Sequence, residues 1–259
     1  MEPSLPPPLT APPPAPATSL WARLTNVFVV PGEVFTEVRD CRHSLGNWLA
    51  PVLISAVVGV VFVFVMFSQE TLVHQIREMQ EKAIQAKVDA GKIPPEQAKA
   101  IMETTERFMS PAFLKITGSI GAVVGTAGWL FGLALYVWLI GAKLFKGRFA
   151  FLKAVEVCGL SQMIGVLSAV VTGLLMVTMG HLHATPGPGL LVSNFDPTNK
   201  THLMLAAINL MTFWQIAVLA LGMAKLSGAS FLKSALWLYV PWAVFKFGMI
   251  LLGWGSQGF

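Results

Sequence analysis

Charge is what this chain has least of. Asp, Glu, Lys and Arg together make up 12% of its 259 residues, roughly half the share of a typical soluble domain. So few charges cannot cover the surface of a free soluble globule. Intrinsic disorder is excluded as well, because 54% of the residues are hydrophobic and mean hydropathy is +0.66. There are only two cysteines, Cys41 and Cys158. One precedes the first apolar run and the other lies inside a run, so no disulfide framework is expected. The first basic residue is Arg23, and residues 1–20 hold no uninterrupted apolar core. No cleavable leader is therefore expected, and the first run acts as the targeting signal. Enzyme signatures are also lacking: there is no GxSxG, HExxH, GxGxxG or P-loop.

What is present is a set of long apolar runs. They predict an all-α, polytopic integral membrane protein with five transmembrane helices. The expected spans are about 48–67, 116–140, 154–179, 203–221 and 235–254, within a membrane domain over 48–254. The net charge of +5 falls largely beside these runs, where it sets orientation rather than marking a nucleic-acid surface. Six Lys and Arg lie in the two short connections at 143–153 and 225–233, against Lys200 alone in the connection 180–202. The reading is N-terminus cytoplasmic and C-terminus outside.

Between and around the spans the composition changes. Residues 1–18 form a Pro-rich tail with almost nothing to bury, read as disordered or polyproline II-like. A passive spacer and a PxxP docking segment are the two readings. Residues 19–47 mix Leu20, Trp21, Leu24 and Phe28 with charges and are interrupted at Pro31. They read as an amphipathic segment whose apolar face lies among lipid headgroups. Residues 68–115 are the one long polar stretch, with seven basic and seven acidic residues. Helical spacing around Gly91 and Pro94-Pro95 predicts an extramembrane helical hairpin. It serves as a self-packed cap or as a partner-binding arm. A short uncharged tail, 255–259, ends the chain.

Within the second span, Gly118, Gly121, Gly125, Gly128 and Gly132 follow a 3-4-3-4 spacing. This stripe is expected to let a neighbouring helix approach closely. Polar residues at membrane depth are the other candidates. Glu156 lies three residues after Lys153 at the inner end of span three, where an ion pair between the two is expected. Lys246 and Asn209 fall about 12 Å and 9 Å from the outer interface by helical rise. With Gln162 and Gln215 they form either interhelical hydrogen bonds or a solute or headgroup site along a polar seam. His181 and His183 are too few for a metal site, and no metal or cofactor is expected. Asn199-Lys200-Thr201 matches a glycosylation sequon.

The loops 142–154 (AKLFKGRFAFLKA) and 224–235 (AKLSGASFLKSA) resemble one another, which suggests parallel repeats of two spans each or chance similarity of two basic turns. The order of the motifs is more informative. VFVVPGEVF at 27–35 carries Pro31 and Phe35, and NWLAP at 47–51 carries Trp48 and Pro51. Gly147 and Phe151 follow span two between Lys143 and Ala154, and Phe213, Trp214 and Gly222 lie in span four. In this order the chain resembles the Yip family (Ypt/Rab-interacting proteins), in particular its prokaryotic-type members, over about residues 20–253. Eukaryotic members are associated with Rab GTPases, vesicle traffic and membrane shaping, and the family offers no catalytic residues to carry over. The resemblance implies a non-enzymatic membrane-organising or trafficking adaptor in a bacterial inner membrane. Its partners would be the lipid bilayer, anionic headgroups and a protein of unknown identity, with oligomers allowed and nucleic acid excluded. A small transporter using the Lys246 and Asn209 seam is the alternative. An intramembrane enzyme is the weakest reading.

Overall fold

The computed structural model describes Pro14, residues 17–108 and residues 110–253. Most of the Pro-rich tail, Trp254 and the tail 255–259 lie outside the described residues. Ten α-helices and no strands occur among the described residues. They are α1 (Leu20–Val29), α2 (Pro31–Asp40), α3 (Gly46–Met66), α4 (Glu70–Asp89), α5 (Pro95–Phe108), α6 (Pro111–Trp138), α7 (Phe151–Met179), α8 (Lys200–Ala207), α9 (Leu210–Ser227) and α10 (Phe231–Leu251). Five of these, α3, α6, α7, α9 and α10, are long and apolar enough to cross a membrane. A π-helical turn, Leu139–Leu144, extends α6.

Helix α7 is the centre of the bundle. It packs against α3, α6 and α9, and also meets α1 and α2. Three of its glycines make this possible. A Cβ on Gly159 would lie 2.5 Å from the Cα of Trp48 and 2.8 Å from the Asn47 carbonyl oxygen. That carbonyl is free because Pro51, four residues on, has no amide to give it. A Cβ on Gly165 would meet the Gln215 amide at 3.1 Å, and one on Gly173 would meet the Phe62 ring at 3.0 Å.

The glycine stripe of α6 behaves differently from the expectation. Gly118 alone faces a neighbour, Val63 of α3. Gly121, Gly125, Gly128 and Gly132 have nothing within 4 Å. Helix α6 instead buries Leu130, Ala134 and Val137, because knobs filling holes bury more apolar surface than a bare stripe.

The N-terminal segment also departs from its expected place. Ser19 caps α1 by accepting a bond from the Ala22 amide, and Pro31 opens α2. The amphipathic pattern is real, but Leu24, Val27, Val34, Phe35 and Val38 are buried within the protein core. The helices pack on α7 and α9. A protein groove offers these side chains close-packed contacts on all sides, which the headgroup layer does not. Trp21 and Val29 are left outside, at 72% and 81% exposure.

Span four starts later than expected. The segment 203–221 is not one helix: α8 ends at Ala207 and α9 begins at Leu210. The connection 180–199 repairs the break. The Leu210 amide donates to the Pro186 carbonyl at 2.9 Å, and the Thr185 hydroxyl donates to the Ala206 carbonyl at 2.9 Å. Irregular backbone at membrane depth is tolerated where protein supplies such partners.

The hairpin α4–α5 lies on the same side as this connection. Gln75 ties the two together: its Nε2 donates to the Gly180 carbonyl at 2.6 Å, and its Oε1 accepts from the Leu182 amide at 3.2 Å. At the opposite end, hereafter the N-side, the two similar loops touch. A Cβ on Gly147 would lie 2.6 Å from the Ser227 Cα, and the Lys233 ammonium sits 4.4 Å from the Phe145 ring centroid.

The contrast between α7 and α6 is testable. Gly159→Ala should destabilise the protein by about 1–3 kcal/mol, as overpacking against a backbone does. Gly125→Ala should leave stability unchanged or slightly raise it, since it gains helix propensity in open space. Thermal unfolding of both variants in detergent measures the difference, and equal behaviour would contradict the packing.

Candidate functional site: a buried carboxylate at the N-side

Glu156 is wholly buried, at 0% exposure, about one and a half turns into α7. A carboxylate so placed requires partners, because an unpaired buried charge is strongly disfavoured. Three side chains from three segments converge on it. The expected ion pair is present: Lys153 Nζ lies 3.3 Å from Glu156 Oε1. His43 Nδ1 lies 2.8 Å from the same oxygen. Asn47 Nδ2 donates to Glu156 Oε2 at 2.5 Å.

Lys153 does more than neutralise the acid. Its ammonium also donates to the Val38 carbonyl at 2.6 Å and the Cys41 carbonyl at 2.7 Å. These carbonyls belong to the last turn and the C-cap of α2, where helices have unsatisfied acceptors and partial negative charge. One lysine therefore joins the end of α2 to the carboxylate of α7. His43 and Asn47 add the start of α3. His43 is about one-third exposed, so one edge of the cluster reaches the surface. The hydrogen bond places a proton on His43 Nδ1 if Glu156 is ionised.

The residues that carried the family resemblance lie at contacts between segments of the bundle. Phe35 is fully buried and rests on Gly222 of α9, where a Cβ would come 3.3 Å from its ring. Trp48 meets Phe131 edge-to-face at 5.6 Å, and Phe151 meets Trp138 at 6.2 Å. Trp214 packs on Phe28 at 6.0 Å, and Phe213 stacks on Tyr239 at 5.7 Å. These motif residues occupy contacts between helices.

The polar seam is not assembled. Asn209 is the N-cap of α9 and accepts from the Met211 amide at 2.9 Å. Lys246 is exposed on α10, and no hydrogen bond or ion pair engages it among the described residues. The helix break turns Asn209 toward its own backbone, which removes it as a partner for Lys246. Gln215 lies over Gly165, and Gln162 keeps a buried Oε1 with no partner.

On the far side, His181, His183 and His202 surround Phe195, with centroid separations of 6.1, 4.7 and 5.7 Å. Among the described residues, no group of three His, Cys, Asp or Glu is placed to hold a metal. Cys41 and Cys158 are both buried, and neither takes part in a disulfide.

A buried ion cluster within a five-helix apolar bundle, with no strand among the described residues, defines an integral, multi-pass membrane protein. The Yip1 domain matches residues 25–252, and the chain belongs to that family. No curated protein and no solved structure matches the chain.

Glu156→Ala should cost about 3–5 kcal/mol, since it leaves Lys153 as an uncompensated buried charge. It should also loosen α2, read as faster limited proteolysis in the segment 40–45. On the far side, burial lowers the pKa of His181 and of His183, the latter also through its neighbour His181. The closed loop thus favours neutral imidazoles, and the opened loop binds protons more readily. Stability is full above the ordinary histidine range, near 6.5, and falls as pH drops below it. Hydrogen exchange of residues 180–199 should be slow at pH 7.5 and faster at pH 5.5.

Proposed function

We propose that this protein is a non-enzymatic adaptor of the Yip family that organises membrane components through its N-side face. The observation that supports the reading is the clamp at Glu156. It holds α1 and α2 rigidly on the bundle rather than leaving them to partition into lipid. The exposed Trp21 and Val29 are then presented on a fixed surface. Arg39, Arg42, Lys143, Lys146, Arg148 and Lys233 are exposed at the same end. A fixed apolar pair beside an excess of cations suits an acidic protein surface or anionic headgroups.

The N-side faces the cytoplasm in this proposal, a reading supported by the excess of Lys and Arg in the short loops at that end. Ala90→Cys at the hairpin tip and Arg148→Cys in the N-side loop should label with impermeant maleimide from opposite faces of a bacterial inner membrane. Labelling of both from one face would reject the topology.

The adaptor role is tested without disturbing the core. The surface variant Trp21→Asp with Lys146→Glu and Arg148→Glu keeps every residue of the Glu156 cluster. Photo-cross-linking from position 29 in native membranes should yield discrete adducts for the wild type and lose them in the variant. Solute flux in proteoliposomes that disappears in Lys246→Met would instead establish a transporter.

A further inference from the structure

The far side holds a cavity that neither the fold nor the adaptor role uses. It occupies about 640 Å³ beneath the α4–α5 hairpin. Its floor is the outer ends of two spans, through Phe62 and Met66 of α3 and Met176 of α7. Its roof is the apolar face of the hairpin, including Met79, Ile84 and Ile101. Met66 is the last residue of α3, and Met176 is three residues from the end of α7. The cavity therefore sits at the boundary between acyl chains and headgroups, where bilayer lipid is the most abundant apolar molecule.

One end of this space is polar. Lys87 and His183 line it. Lys87 also lines an adjoining depression of about 350 Å³, together with Lys82 and Lys92. Lys82 lies within electrostatic reach of Asp196 across that depression. No ion pair engages Lys87 or Lys92 among the described residues. An apolar chamber that opens onto a group of lysines is complementary to a molecule with an apolar chain and an anionic head.

We propose that the cavity holds one acyl chain of an anionic phospholipid from the bilayer, with the lipid phosphate held by Lys87 and Lys92. The volume lies within the range of small-molecule sites. Methionines at Met66, Met79 and Met176 suit a flexible chain, because their unbranched thioethers adapt to variable shapes. Charge selects the head, since each lysine near a phosphate adds its own attraction. The hairpin is then a lid closed on lipid, fastened at its base by Gln75 to the Gly180 carbonyl.

The test uses the full chain in vesicles of phosphatidylcholine with a minor share of phosphatidylglycerol. The phosphatidylglycerol probe carries a diazirine near the end of one acyl chain. After irradiation, adducts are mapped by mass spectrometry. The expected result is adducts concentrated on residues 76–105 and on Met176. A matched phosphatidylcholine probe should label these residues roughly tenfold less. Ala83→Trp, which fills the cavity, should remove the adducts. Lys87→Glu with Lys92→Glu, both on the surface, should bring the two probes to parity and keeps the test valid if Ala83→Trp fails to fold. Millimolar inorganic phosphate should not compete, because the acyl chain carries much of the binding. Adducts only on the lipid-facing sides of α6 and α10, equal labelling by both probes in the wild type, or displacement by inorganic phosphate would each overturn the proposal.

Discussion

A carboxylate sealed from water governs how the N-side of this protein is built. Glu156 sits inside an apolar bundle, and its charge is tolerated only because Lys153, His43 and Asn47 reach it. Those partners come from α7 itself, from the α2–α3 connection and from α3, so satisfying the acid fixes three segments together. Lys153 extends the same constraint to α2 by bonding the Val38 and Cys41 carbonyls. The amphipathic helices α1 and α2 are thereby part of the folded domain, and their apolar face completes the core around Phe35 and Gly222.

The far side is held by a different rule, the need to satisfy backbone groups that leave regular structure near lipid. The α8–α9 break would strand the Leu210 amide and the Ala206 carbonyl. The connection 180–199 supplies Pro186 and Thr185 to them. Gln75 then joins that connection to the hairpin. The two ends of the bundle thus differ in kind: a charged clamp at one, and a capped, cavity-bearing lid at the other. The Yip1 domain match, residues 25–252, spans the bundle and the motif residues at its helix contacts. The cavity and its lysines lie in the hairpin, which the family motifs do not explain.

Much of this was legible in the sequence. Runs of about twenty apolar residues have one stable fate in a membrane, so the five spans follow from composition and length. The hairpin was legible too, because Gly91 and Pro94-Pro95 break a helical pattern that has nowhere apolar to go. The Lys153 and Glu156 pair was visible from its i, i+3 spacing. His43 and Asn47 were not, since they are more than 100 positions away and carry no local signal that they share an acid with α7.

Periodicity shows which face of a helix is special but not what that face meets. The α6 glycines form a regular stripe, yet the close approaches are made at Gly159, Gly165 and Gly173 of α7, which follow no heptad. Asn209 and Lys246 share a depth in sequence arithmetic, yet a helix break turns Asn209 into a cap. A five-span helical membrane protein with a hairpin follows from the residues segment by segment, because solvation by lipid acts on each segment separately. That α1 and α2 lie on the bundle, that Lys153, His43 and Asn47 share Glu156, and that a cavity opens under the hairpin came only with the folded chain, because those outcomes depend on which distant surfaces fit together.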